Sequence, residues 1–150
     1  MAFSVCERYT AVKSFENEMK MSIPDAILKL RRRLESYPLL SYHDDGQTIT
    51  VDAASPTGFA VSLTATGRDF IVRFDGWHEY FNFQVDAINY FVLGLSDQYR
   101  LKVLRRGKTE YQWTLQYRTA TGWDEDSTIA RAYFPFWRKL EIIYRQNTLS

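Results

Sequence analysis

At 150 residues, with 45% hydrophobic and 25% charged side chains and a net charge of +1, the chain is long enough to bury a core and lies far from the disordered class. Split after Asp75, its halves carry nine Lys/Arg against ten Asp/Glu and ten against eight, so neither has the excess of a general polyanion binder. Cys6 is the only cysteine, no stretch is apolar for long enough to span a bilayer, and the N-terminus lacks the apolar run of a signal peptide, so a cytoplasmic protein without membrane insertion is expected.

Residues 1–21 show no clean periodicity and are expected to form an irregular N-terminal segment, apart from Phe15 and Met19, which share a helical spacing. The first helix is predicted over Ile23–Tyr37: Ser22 suits the cap, Pro24 the first turn and Asp25 the helix dipole. Ile23, Ile27, Leu30 and Leu34 make its apolar face, Arg31-Arg32-Arg33 its outer side, and Pro38 its stop.

Strands follow. A two-residue Asp45-Gly46 turn pairs Tyr42 with Ile49 and Leu40 with Val51, which gathers the apolar residues on one face. A Gly67-Arg68 turn sets Leu63 opposite Val72 and Val61 opposite Phe74. The second helix is predicted over Glu79–Gln98, apolar outside one narrow polar stripe and therefore covered on most sides. Beyond it, Tyr99–Val103 and Tyr111–Tyr117 alternate as a hairpin. An odd loop at Arg106-Gly107-Lys108 aligns their apolar sets by pairing Val103 with Tyr111 and Leu101 with Trp113. The last strand, Phe136–Gln146, places Phe136, Leu140, Ile142 and Tyr144 towards the core and Trp137 and Ile143 on the opposite face. The repeat of Thr64–Asp69 as Thr119–Asp124 is ordinary hairpin material.

These elements predict one α+β domain: a curved antiparallel sheet of about seven strands, a long buried helix on its concave face, and a second helix near the N-terminus.

Candidate chemistry concentrates in Asp75-Gly76-Trp77-His78-Glu79, expected where a strand meets the buried helix. A histidine flanked by carboxylates suits a general base, yet the same residues serve as a helix cap, with Trp77 packed beneath. His78-Glu79 lacks the second histidine of a zinc-protease helix, and with only His43 and His78 present no metal site or cofactor is expected. Gly94-Leu95-Ser96-Asp97-Gln98 lacks the closing glycine of a nucleophile elbow. The basic hairpin Arg100, Lys102, Arg105, Arg106 and Lys108 turns its own rings to the opposite face, so strong nucleic-acid binding is not expected.

Aromatic residues make up 16% of the chain; by default they fill the core, and otherwise they line a pocket or an interface. Two functions are carried forward. The first is a non-catalytic binding protein with an aromatic-rich pocket or surface for a protein or small molecule, using Trp77, Trp137 and Ile143 and self-associating through the last strand. The second is a small enzyme with its polar centre at Asp75, His78 and Glu79.

Overall fold

The computed structural model describes residues 23–149, among which it places two helices and nine strands in two antiparallel sheets. The predicted Phe15–Met19 face, the Ser22 cap, the irregular N-terminal segment and Cys6 lie outside the described residues.

Helix α1 (Asp25–Glu35) buries Ala26, Ile27, Leu30 and Leu34, the predicted face. Its Arg31 is turned towards the sheet, donating from Nε to Asp44 Oδ2 at 2.9 Å, so it is not part of a solvated basic cluster. Strands β1 (Tyr42–Asp44) and β2 (Thr48–Val51) pair Tyr42 with Val51, two residues from the predicted register. The cause is Asp45, whose Oδ1 accepts from the backbone N–H groups of Gln47 and Thr48 and lengthens the turn. A shift of two preserves the faces, and Ile49 and Val51 are buried as expected.

Strand β3 (Val61–Ala65) meets β4 (Phe70–Phe74) in the predicted register, Val61 on Phe74 and Leu63 on Val72. The chain then departs from expectation. Asp75 adopts φ 49° in a two-residue turn, and Trp77–Phe81 returns as strand β5 along β4 instead of starting a helix. Helix α2 begins only at Gln84 and ends at Leu95. It is shorter than predicted and buries one face, Ala87, Phe91, Gly94 and Leu95, while Phe83 and Val85 stay exposed at its start. The five strands β1–β5 form the first sheet in sequence order.

The second sheet has the order β8-β7-β6-β9, from β6 (Tyr99–Arg106), β7 (Thr109–Thr119), β8 (Gly122–Ala130) and β9 (Leu140–Gln146). The single sheet of about seven strands is thus replaced by sheets of five and four. In β6–β7 the turn is Gly107-Lys108, and a bulge at Tyr111 restores the parity that an odd loop would have supplied. Val103 therefore faces Trp113, and Leu101 faces Leu115.

Both sheets share one core. Ile49, Val51, Leu63, Val72, Phe74 and Trp77 of the first meet Leu101, Val103, Trp113 and Leu115 of the second, with α1 and α2 completing the cluster. Rings run through it in series, Phe59–Phe74 at 5.3 Å, Phe74–Trp77 at 4.9 Å and Trp77–Tyr90 at 6.4 Å between centroids. Trp77 Nε1 donates to Ser127 Oγ at 2.9 Å, joining β5 to β8. Asn147 ties the end of β9 to the rest: its carboxamide accepts from Phe59 N and donates to the carbonyls of Phe59 and Gly94.

Candidate interaction surface

Pairing β9 against β6 decides which side chains reach solvent on the second sheet. Ile143 lies opposite Val103 and packs against the core, whereas Leu140, Ile142 and Tyr144 point outward with Arg106, Leu104 and Lys102. This reverses the predicted faces of the last strand. The reason is the inward Arg145, which bonds Glu110 Oε1 at 2.6 Å and Asp75 Oδ2 at 3.0 Å below the sheet. Ile143 therefore does not belong to an exposed surface, and Ile142 takes the place expected of it.

The outer face carries alternating cations and rings. The Arg100 guanidinium lies 4.4 Å from the Trp123 ring and 4.2 Å from that of Tyr144, with its Nε donating to Gln116 Oε1 at 2.7 Å. Arg118 stands 4.8 Å from Trp123. Most rings of the β6–β7 hairpin turn away from its charges, as the alternation dictates, but the Arg106 guanidinium lies 5.9 Å from the Tyr111 ring, and β8 and β9 bring further rings alongside. Sequence reasoning missed this because the pairings of β8 and β9 are long-range.

The link from β8 to β9 is Arg131-Ala132-Tyr133-Phe134-Pro135-Phe136-Trp137-Arg138-Lys139, part of which was predicted as strand. Phe134 anchors it by stacking on Tyr111, centroids 4.2 Å apart. Arg106 holds it from beneath, its Nη1 donating to the carbonyls of Phe136 and Arg138 at 3.3 and 3.1 Å. Tyr133, Phe136 and Trp137 are left 91%, 73% and 71% exposed. Rings so exposed are not core rings, and with β9 they extend an apolar band along one edge of the sheet.

The residues of the Asp75–Glu79 segment do not converge. Asp75 turns to Arg145 and accepts from Ala60 N at 3.3 Å. Burial pushes its carboxyl above the usual value, against the pull of Arg145. Burial also acts upward on Glu110, but the Arg145 hydrogen bond and charge outweigh it and hold Glu110 below the usual value. His78 lies on β5 opposite Arg73, its ring edge-on to Tyr80. Glu79, next along the strand, has the alternate face and lies near Asp126 and Tyr90. Burial, then the negative charges of Asp126 and Glu79, push the Tyr90 hydroxyl up to about 12. None of the three caps α2, which starts five residues beyond Glu79. Trp77 is buried, and Trp137 is exposed in the β8–β9 link.

A hollow of about 210 Å³ beside Asn147 is lined equally by aliphatic and polar side chains, and one of about 270 Å³ between α1 and α2 mainly by aliphatic ones, with Tyr37 and Phe91 as its rings. Among the described residues the rings lie in the core series, on the outer surface, or around an open hollow of about 710 Å³ that Tyr133, Phe134, Phe136 and Trp137 of the β8–β9 link help to line. Among the described residues no group of three or more His, Cys, Asp or Glu is arranged to hold a metal, and no helix is long and apolar enough to cross a membrane. Comparison with known proteins yields no family model, no curated protein and no solved structure that matches the chain.

Proposed function

We propose that the protein is a non-catalytic interaction module whose working surface is the aromatic edge of the second sheet, β9 with the link before it. The observation that carries this reading is the outward apolar row Leu140, Ile142 and Tyr144 on a strand that closes the sheet, continued by Tyr133, Phe136 and Trp137. It is favoured over a catalytic centre at Asp75, His78 and Glu79 because those side chains lie in separate surroundings.

For β9 the partner is a second copy of the chain. Gln146 N donates away from β6, to Thr57 O at 2.8 Å, so the alternation aims the N–H groups of Leu140, Ile142 and Tyr144 outward as well. Among the described residues these three N–H groups have no backbone partner, and a row of this kind is a template for another strand. A two-fold axis at Ile142 sets Leu140 against Tyr144 of the copy and Ile142 against itself, an apolar ladder complementary to itself, and it stops short of the Thr57 contact. Sedimentation equilibrium tests this. A contact of five residues a side is small, so a dimer with Kd on the order of 10 μM is expected. Ile142→Lys/Tyr144→Glu should abolish it with the fold intact. A wild type that stays monomeric to millimolar concentration, or a dimer indifferent to the double substitution, overturns the reading.

A further inference from the structure

The β8–β9 link joins two properties that the rest of the chain keeps apart. Its three outermost rings are those of Tyr133, Phe136 and Trp137, and its charges are all positive: Arg131, Arg138 and Lys139, with no Asp or Glu from Arg131 to Leu140. The hairpin tip beneath it adds Arg105, Arg106 and Lys108. A Cβ on Gly107 would lie 3.4 Å from Arg138 Cγ, so link and tip form one body. The neighbouring carboxylates are already paired, Glu141 with Arg105 of the tip itself and Glu110 with Arg145. Among the described residues, Arg106, Lys108, Arg131, Arg138 and Lys139 have no carboxylate partner within 4.0 Å, in a chain whose net charge is only +1.

We propose that this tip docks on an anionic lipid surface. The proposal deepens the interaction reading by naming the partner of the aromatic tip, and it is independent of pairing at β9. Tyr and Trp are the side chains that settle at the level of lipid headgroups, Phe adds apolar insertion, and a collar of Lys and Arg meets the negative surface potential. Phe134 stacked on Tyr111 and Arg106 bonded to two link carbonyls hold the other rings outward before contact, so little ordering is required on binding. Such peripheral docking needs no spanning segment. Single-stranded nucleic acid fits the tip less well, since it asks for rings and cations spread along an extended groove, and these rings are gathered within one short link.

The test is co-sedimentation of the full chain with vesicles of phosphatidylcholine plus phosphatidylserine and with vesicles of phosphatidylcholine alone. Binding to the mixed vesicles is expected, weakened by salt and much weaker on the neutral ones. Phe136→Ser/Trp137→Ser should abolish it, and Arg138→Gln/Lys139→Gln should weaken it by roughly tenfold or more, as two surface cations near an anionic leaflet imply. Both variants change exposed side chains, and circular dichroism checks the fold. Trp137 fluorescence should shift to the blue on binding and be quenched by bromine-labelled acyl chains. Ile142→Lys/Tyr144→Glu, which removes β9 pairing, should still bind, so failure of the dimer and failure of the docking are told apart. No binding by wild type, equal binding to neutral vesicles, or binding that survives the link substitutions overturns the proposal. So does salt-sensitive binding to single-stranded RNA lost in the same variants while the vesicles stay bare.

Discussion

Substituting Asn147 by alanine should cost about 3 kcal/mol of stability. The carboxamide is buried and makes three hydrogen bonds, accepting from Phe59 N at 3.2 Å and donating to Phe59 O at 3.0 Å and Gly94 O at 2.9 Å. Alanine leaves one N–H and two carbonyls without those partners, and each such group costs about 1–3 kcal/mol when water cannot replace the lost bond. A hollow of about 210 Å³ opens beside Asn147, so water reaches part of the site and the lower end applies to each group. At about 2–4 °C per kcal/mol for a domain of this size, the melting temperature should fall by about 6–12 °C. Urea denaturation followed by circular dichroism measures the loss, with the exposed Thr148→Ala as control. A Cβ on Gly58 would lie 2.5 Å from Asn147 Oδ1, so Gly58→Ala disturbs the same carboxamide, and the double variant should lose less than the sum. An Asn147→Ala protein within 1 kcal/mol of wild type, or strict additivity with Gly58→Ala, refutes the reasoning.

Gly94→Ala should destabilise by about 1–3 kcal/mol despite the helix propensity of alanine, because the new Cβ would lie 2.3 Å from Phe74 Cε1; equal or higher stability in urea contradicts this packing. The carboxylates around Arg145 should give opposite pH dependences. Glu110, held low, contributes stability that is complete above its unfolded-state pKa and is lost as pH falls through the folded one. The deficit of Glu110→Gln should therefore be largest at neutral pH and shrink in acid. Asp75, pushed high by burial, contributes in the reverse sense, lost as pH rises through its folded pKa, so Asp75→Asn should gain on wild type from acid to neutral pH. Denaturation curves at several pH values check both, and slopes of the same sign would be inconsistent with the two environments.

What the sequence made legible was local. The Gly67-Arg68 turn specified its hairpin to the residue, and the alternation in Tyr99–Tyr117 identified the buried face even though a bulge at Tyr111 altered the register. What it hid depended on distant partners or on one backbone angle. Asp75 at φ 49° turns Trp77–Phe81 back along β4, whereas its aromatic and acidic residues also fit a helix start. The outward row of β9 reads as core in the sequence because Leu140, Ile142 and Tyr144 look more apolar than Ile143 between Glu141 and Arg145. The pairing of Ile143 with Val103 and the Arg145 contacts with Glu110 and Asp75 show that the Ile143 side faces inward. Trp123 and Tyr144 flank Arg100 through strand pairings that no local pattern encodes. The exposed rings of the link were visible as residues, but an aromatic run next to a strand reads as core until the chain is seen to leave the sheet.

Completion of the β9 edge by a second copy is read out by amide hydrogen exchange along that strand at low and high protein concentration. The N–H groups of Glu141, Ile143 and Arg145 face β6 and should be protected at both concentrations. Those of Leu140, Ile142 and Tyr144 should exchange freely in dilute solution and slow by about tenfold or more once the chain is concentrated well above its Kd. Unchanged exchange at these three amides across the same range would show that no second copy pairs with β9.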